Sequence, residues 1–323
     1  MRCINIAIVQ YPGALQSAVQ GLREMFCVAN RLCAEQGVAC VFEVKLYDAE
    51  QQTVAIKPSD TLASAPLERA VEPLQIVILT SSLEGGYPFD PDAALTAWLL
   101  KQHNQGAILC SVCAGAFILA AAGLLQQRPA TTHWGLADRF AADHPAVFLD
   151  CSKILINDGD IITAGGLMAW LDLGLELVAQ FSQPHIMRRL GKFLLVDTGP
   201  REQRYYQSFS PRLDHGDAVI VKVQHQLQAS FQHAVAVKDL AQQCFLTERT
   251  FLRRFVKATG LKPSTYLQRL RIQKACEWIE SSPASVETIA AKSGYEDISA
   301  FRKTFIKITG LTPREFRRRF GMR

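Results

Sequence analysis

At 323 residues with 49% apolar side chains, the chain is too long for one ordinary core and has a globular composition, so two domains are expected. The net charge of +5 is unevenly placed: residues 218–323 carry 19 Lys+Arg against 8 Asp+Glu, +11, leaving 16 against 22, −6, for residues 1–217. That asymmetry predicts a polyanionic partner for the C-terminal third, since cations laid on phosphates release condensed counterions. An odd nine cysteines argue against a disulfide framework. The apolar start is broken at Tyr11-Pro12-Gly13, and no run reaches the roughly 18 apolar residues of a membrane helix, so a cytoplasmic chain without membrane association is expected.

In chain order, strands are predicted at 5–9, 41–46, 76–79, 107–112, 154–156 and 161–164. Helices are predicted at 15–36, 91–103, 114–125, 133–142, 167–181 and 184–194. Short apolar runs alternating with amphipathic helices imply an α/β fold, a doubly wound, mostly parallel sheet of flavodoxin-like kind. Within it, the apolar strand ending at Val112 runs into Cys113-Ala114-Gly115-Ala116-Phe117. Ser111-x-Cys113-x-Gly115 has the small residues on either side of a thiol that a strained strand-to-helix elbow demands. An elbow thiol at a helix N-terminus can be held as a thiolate or can face a bound anion. Its plainer reading is an inert buried cysteine.

Residues 207–216, with Ser208, Ser210, Pro211, Asp214 and Gly216, have a linker's composition. Domain limits follow at 1–208 and 218–323, with 209–217 between. The C-terminal part repeats itself at an offset of 50 residues: Phe251, Phe255, Gly260, Pro263 and Tyr266 return as Phe301, Phe305, Gly310, Pro313 and Phe316. Each set follows a short helix carrying Leu240-Ala241 or Ile289-Ala290. The pattern predicts two helix-turn-helix units in an all-α domain, with Thr247 and Asp297 as N-caps and Gly260 as a left-handed terminator. With the Phe pairs facing a core, Arg249, Leu252 and Arg253 in one unit and Ser299, Arg302 and Lys303 in the other face outward. These are the candidate DNA contacts, the arginines suited to guanine edges. A helix at 263–281 would hold the two readers, which must reach major-groove segments about 34 Å apart.

Residues 218–323 resemble the AraC/XylS transcription regulators through Leu240-Ala241, Thr247-Glu248-Arg249, Arg253-Arg254-Phe255, Gly260-Leu261-Lys262-Pro263, Gly294-Tyr295 and Gly310-Leu311-Thr312-Pro313. Residues 1 to about 208 resemble the PfpI/ThiJ branch of the glutamine amidotransferase-like superfamily. There the matching residues are Phe26 with Ala29-Asn30, Cys113 to Phe117, Thr131-Thr132-His133-Trp134, Thr163 to Gly166, and, more loosely, Arg204-Tyr205-Tyr206. The combination resembles the GlxA-type regulators. The resemblance implies double-stranded promoter DNA and RNA polymerase as partners, transcription activation, and a homodimer.

Enzymes of the superfamily often place a His after the elbow Cys and an acid on the first helix; this chain has Ala114 and Ala18. His133 remains as a basic partner for Cys113, though a His at a helix start more often caps or packs. A non-catalytic domain is therefore expected, without metal or cofactor. The alternative is a Cys113-dependent amidase-like or hydratase-like enzyme with a DNA-binding tail. Ligands of doubly wound sheets gather beyond the strand carboxyl ends. That places Ser81, Cys113, Ala114, His133, Trp134 and Gly165 around a crevice for a small, amino-acid-like effector.

Overall fold

Strand β1 (Arg2–Gln10) alternates Ile4, Ile6 and Ile8 on one side with Ala7 and Val9 on the other, all buried; apolar side chains on both faces are what a parallel sheet covered by two helical layers requires. The computed structural model describes residues 2–48, 65–66, 73–83, 86–199 and 201–322, and these divide into two units, Met1–Gln203 and Arg204–Arg323.

The first unit continues with α1 (Gln16–Glu35), β2 (Cys40–Asp48), β3 (Ala65–Pro66), β4 (Ile76–Leu79), α2 (Ala93–Asn104), β5 (Ile108–Val112), α3 (Gly115–Ala121), β6 (Pro129–Ala130), α4 (Ala137–Asp143), β7 (Phe148–Leu149), β8 (Leu155–Asn157), β9 (Ile161–Ala164), α5 (Trp170–Phe181) and α6 (Pro184–Leu194). The sheet runs β3-β2-β1-β4-β5-β9-β8, parallel throughout except for the antiparallel edge pair β8/β9. One face buries Ile6, Ile8 and Ile78 against Leu22 and Phe26 of α1, Leu173 and Leu177 of α5, and Ile186 of α6. The other buries Val77, Leu79 and Leu109 against Leu95 and Leu99 of α2 and Phe117 of α3. The doubly wound, mostly parallel architecture is thus present.

Two local differences from the sequence pattern have simple causes. Helix α3 stops at Ala121 instead of running to 125, because Gly123 turns left-handed at φ 75°. The segment beginning at His133 opens with a 3-10 turn, Trp134–Leu136, before α4.

The second unit is all helical: α7 (Ala218–Ala229), α8 (Val237–Gln243), α9 (Glu248–Thr259), α10 (Pro263–Ser281), α11 (Val286–Lys292), α12 (Ile298–Thr309) and α13 (Pro313–Phe320). Helix α10 serves two cores. Tyr266 and Leu270 pack with Phe251 and Phe255 of α9 and with Ile220, Val223 and Leu227 of α7. Ile272, Ala275 and Ile279 pack with Phe301 and Phe305 of α12 and Phe316 of α13. Helices α7 and α13 lay outside the sequence reading, although Ile220, Val223 and Leu227 carry helical spacing behind the Asp217 cap.

Candidate functional site

In the second unit the fifty-residue repeat survives down to ring geometry. Phe251–Phe255 and Phe301–Phe305 both lie 5.6 Å apart at 49°. Phe255 meets Tyr266 edge-on at 5.4 Å, and Phe305 meets Phe316 at 5.5 Å. Thr259 and Thr309 donate their hydroxyls to Phe255 O and Phe305 O, and Gly260 and Gly310 end both helices left-handed at φ 70° and 77°. Thr247 Oγ1 accepts from Thr250 N, and the Asp297 carboxylate accepts from Ser299 N and Ala300 N, so both N-caps are made. Two near-identical scaffolds therefore present α9 and α12.

On those helices Arg249, Arg253, Ser299, Arg302 and Lys303 are exposed, while Leu252 is half-buried. Arg249, Arg253 and Lys303 enter no ion pair among the described residues. Arg302 pairs with Glu287 of α11 at 3.1 Å, both side chains more than half exposed, a contact weak enough to yield to a phosphate. Arg254, next to Arg253, is instead tied to Asp217 by two hydrogen bonds, which sets it apart from the outward cations. The turn before α9 holds a feature absent from the sequence reading: Phe245, 97% exposed and left-handed at φ 54°, stands where the second unit's repeat has Gly294.

In the first unit the elbow has its expected backbone. Cys113 is left-handed at φ 54° between β5 and α3. Its N–H donates to Ala164 O at 2.7 Å, and its carbonyl accepts from Thr132 Oγ1 at 2.8 Å. A Cβ on Gly115 would stand 2.8 Å from Leu79 O, which is why a glycine follows the thiol by two. The chemistry of the thiol is less inviting. Cys113 is buried, and desolvation pushes its pKa up to about 11 against a smaller opposing pull from the Ala114 backbone; the short helix α3 does not reverse this. Neighbouring Tyr11 is likewise raised, chiefly by burial and then by the charge of Cys113, and its hydroxyl donates to Thr80 O.

His133 is engaged elsewhere than at the thiol. Its Nδ1 accepts from Gly135 N at 3.0 Å, capping the 3-10 turn, and its ring stacks on Trp134 at 5.3 Å. Burial lowers its pKa. Among the described residues no histidine or carboxylate hydrogen-bonds to Cys113 Sγ, and no group of His, Cys, Asp or Glu could hold a metal ion.

The residues expected around a crevice differ in exposure. Ser81, Cys113, Ala114 and Gly165 are buried, and His133 and Trp134 are half-buried. Ser81 Oγ donates to Leu167 O at 3.2 Å, and Gly165 N to Ile154 O at 2.8 Å. The side chain that fills the space beside Gly165 is Gln203, at 2% exposure. Its Nε2 donates to Thr131 Oγ1 (3.0 Å), Thr132 O (2.9 Å) and Lys153 O (2.8 Å), and its Oε1 accepts from Trp134 N (3.2 Å). Sequence reasoning missed Gln203, which opens a single 3-10 turn, Gln203–Tyr205, too short to carry a periodicity.

Comparison with known proteins agrees with both halves. Residues 75–180 match the DJ-1/PfpI family and residues 240–319 match a helix-turn-helix domain family. The HTH-type transcriptional regulator CdhR of Pseudomonas aeruginosa is 28% identical over 291 residues, 90% of this chain and 83% of that protein. The HTH-type transcriptional regulator GlxA of Rhizobium meliloti is 26% identical over 274 residues, 83% of each. Isonitrile hydratase of Pseudomonas putida is 30% identical over 126 residues, 39% of this chain and 50% of the enzyme. Tandem helix-turn-helix units and regulator relatives along most of the chain define a DNA-binding transcription regulator. The chain thus joins a segment similar to the DJ-1/PfpI family to one similar to a helix-turn-helix domain family, and it is similar along most of its length to the regulators CdhR and GlxA.

Proposed function

We propose that this regulator reads promoter DNA with α9 and α12 and is controlled by a small-molecule effector taken up in the crevice of the first unit. Residues 218–323 form the reading part. Arg249 and Arg253 address base edges, with Leu252 beside them for apolar contact, and Ser299, Arg302 and Lys303 engage mainly backbone phosphates. The observation that carries this reading is the duplicated scaffold, which turns cations outward from both helices while burying both Phe pairs. As a homodimer contacting RNA polymerase, the chain would act as an activator.

The first unit senses and does not catalyse. A thiol raised to about 11 without a bonded base is a poor nucleophile at neutral pH, which disfavours an amidase-like or hydratase-like role for Cys113. The effector is a small amino-acid-like compound held by the crevice at Ser81, Cys113, Ala114, His133, Trp134 and Gly165.

The test is DNA binding by the full chain on genomic promoter fragments over a salt series, with and without metabolite pools. Affinity should fall steeply with salt, by a logarithmic slope of about 0.9 per phosphate neutralised, and one pool should change it. A salt-independent affinity would remove the DNA reading, and no response to any pool would remove the effector reading.

A further inference from the structure

Gln203 is an unusual occupant for a ligand crevice. A buried side-chain amide is expected to have its donors and acceptor matched, and this one is matched entirely by groups of the first unit, among them the Trp134 backbone N–H beside the expected crevice. Three oxygens, Thr131 Oγ1, Thr132 O and Lys153 O, converge on its nitrogen, and one backbone N–H, from Trp134, meets its oxygen. The opposite amide orientation would set oxygen against three oxygens, so the arrangement is fixed by the cradle. The cradle itself is rigid: Thr131 N donates to Thr163 Oγ1 of β9 at 2.9 Å, Thr131 Oγ1 donates onward to Lys153 O at 3.0 Å, and Thr132 Oγ1 holds the elbow carbonyl. Gly165 completes it, since a Cβ there would lie 1.8 Å from Gln203 Nε2.

The residue is also pinned as a segment end. Arg201 makes two hydrogen bonds to Asp172, one of 2.8 Å, and Gln203 N donates to Ser152 O at 2.9 Å. Gln203 is the last residue of the first unit, and Arg204 opens the DNA-binding unit.

We propose that Gln203 is a displaceable internal ligand: its amide closes the effector crevice, and the effector is a compound whose primary amide or primary ammonium nitrogen takes its place in the three-oxygen cradle. This rests on the effector reading above and narrows it to a chemical class. Only a nitrogen with at least two N–H bonds can serve these oxygens; a carboxylate, an ester or a tertiary amide cannot. The effector competes with a tethered group whose effective concentration is in the millimolar range, so a small untethered amide leaves the wild type closed. Displacement also loosens the residue that ties the first unit to Arg204, which gives occupancy of the crevice a covalent route to the DNA-binding unit.

The test is chemical rescue in the full chain. Gln203→Ala removes the equivalent of one acetamide and takes one donor from each of three oxygens, and its unfolding midpoint should fall by about 2 to 4 °C or more. Acetamide should restore most of that loss in the variant and leave the wild type unmoved, while N,N-dimethylacetamide, which has no N–H, should restore none. Rescue by methylammonium chloride over sodium chloride would assign the ammonium class, and rescue by acetamide alone the amide class. Gln203→Ser likewise vacates the space of the amide; it should show the same selectivity and serves where the alanine variant does not fold. Equal responses to acetamide and dimethylacetamide, or none to either donor, overturn the proposal. Because no natural effector is used, that failure is separate from failure of the effector reading, which the metabolite response of the wild type decides.

Discussion

Arg254 grips Asp217 with Nε on Oδ2 at 2.9 Å and Nη2 on Oδ1 at 2.7 Å, while the same Oδ1 accepts from Ile220 N at 3.3 Å. One carboxylate thus caps α7 and fastens it to α9. The bond from Arg254 is the main reason the Asp217 carboxyl is held below its usual range, with burial opposing and the α7 backbone amides assisting.

Asp217→Ala should therefore lower the unfolding midpoint of the second unit, the lost cap alone costing about 1 kcal/mol. The pH dependence has a definite sign. A folded-state pKa below the unfolded value gives stability that is complete above about pH 4 to 5 and lost as pH falls through the folded value. The gap in midpoint between wild type and Asp217→Ala, followed by circular dichroism, should be full at pH 7 and shrink below pH 4. A gap that grew on acidification would contradict the pairing.

Phe245 adopts the left-handed region at φ 54° with its ring 97% exposed, so it bears backbone strain without burial to offset it. Asn tolerates that conformation far better. Phe245→Asn should stabilise the second unit by about 0.5 to 1 kcal/mol in denaturant melts, provided its midpoint is compared at unchanged slope. Destabilisation would mean that the ring is packed after all.

Cys113 should resist alkylation. Desolvation raises its thiol to about 11, so little thiolate exists at pH 7.5, whereas Cys27 is exposed. Iodoacetamide labelling followed by peptide mass spectrometry should modify Cys27 readily and Cys113 only in strongly alkaline buffer or after unfolding. Rapid labelling of Cys113 at neutral pH would return the enzymatic reading to contention. Cys113→Ala should keep DNA binding in the absence of effector within about twofold, since the side chain belongs to the first unit and the cations of α9 and α12 to the second.

The features legible in the sequence were those set by local or periodic physics. Strands 76–79 and 161–164 and helices 184–194 and 263–281 fall where their apolar runs and prolines put them. The caps at Thr247 and Asp297 follow from side chains that reach their own helix. The small residues around Cys113 marked the elbow, because backbone crowding there acts on nearest neighbours. What the sequence concealed depends on contacts between distant segments. Burial of the Cys113 thiol and capping by His133 were among the readings that residue type and position offered, but the seating of Gln203 between Thr131 and Lys153 leaves no spacing or composition to detect.

Arg253 and Arg254 are adjacent, equally charged and indistinguishable by composition, yet the structure gives them different duties. Arg254 is spent on Asp217, whereas Arg253 is exposed beside Arg249 with no ion pair among the described residues. Arg253→Ala should cost about 1 to 3 kcal/mol of DNA affinity and relax preference at one base pair, because a guanidinium fork serves a guanine edge bidentately. Lys303→Ala should instead weaken all sequences alike and reduce the salt slope by about one unit. Arg254→Ala should act chiefly through stability, leaving base preference intact in the molecules that remain folded. Selection of bound fragments from a randomised operator library, with anisotropy titrations at two salt concentrations, separates the three. If Arg253→Ala left both affinity and base preference unchanged, the outward face assigned to α9 would be wrong.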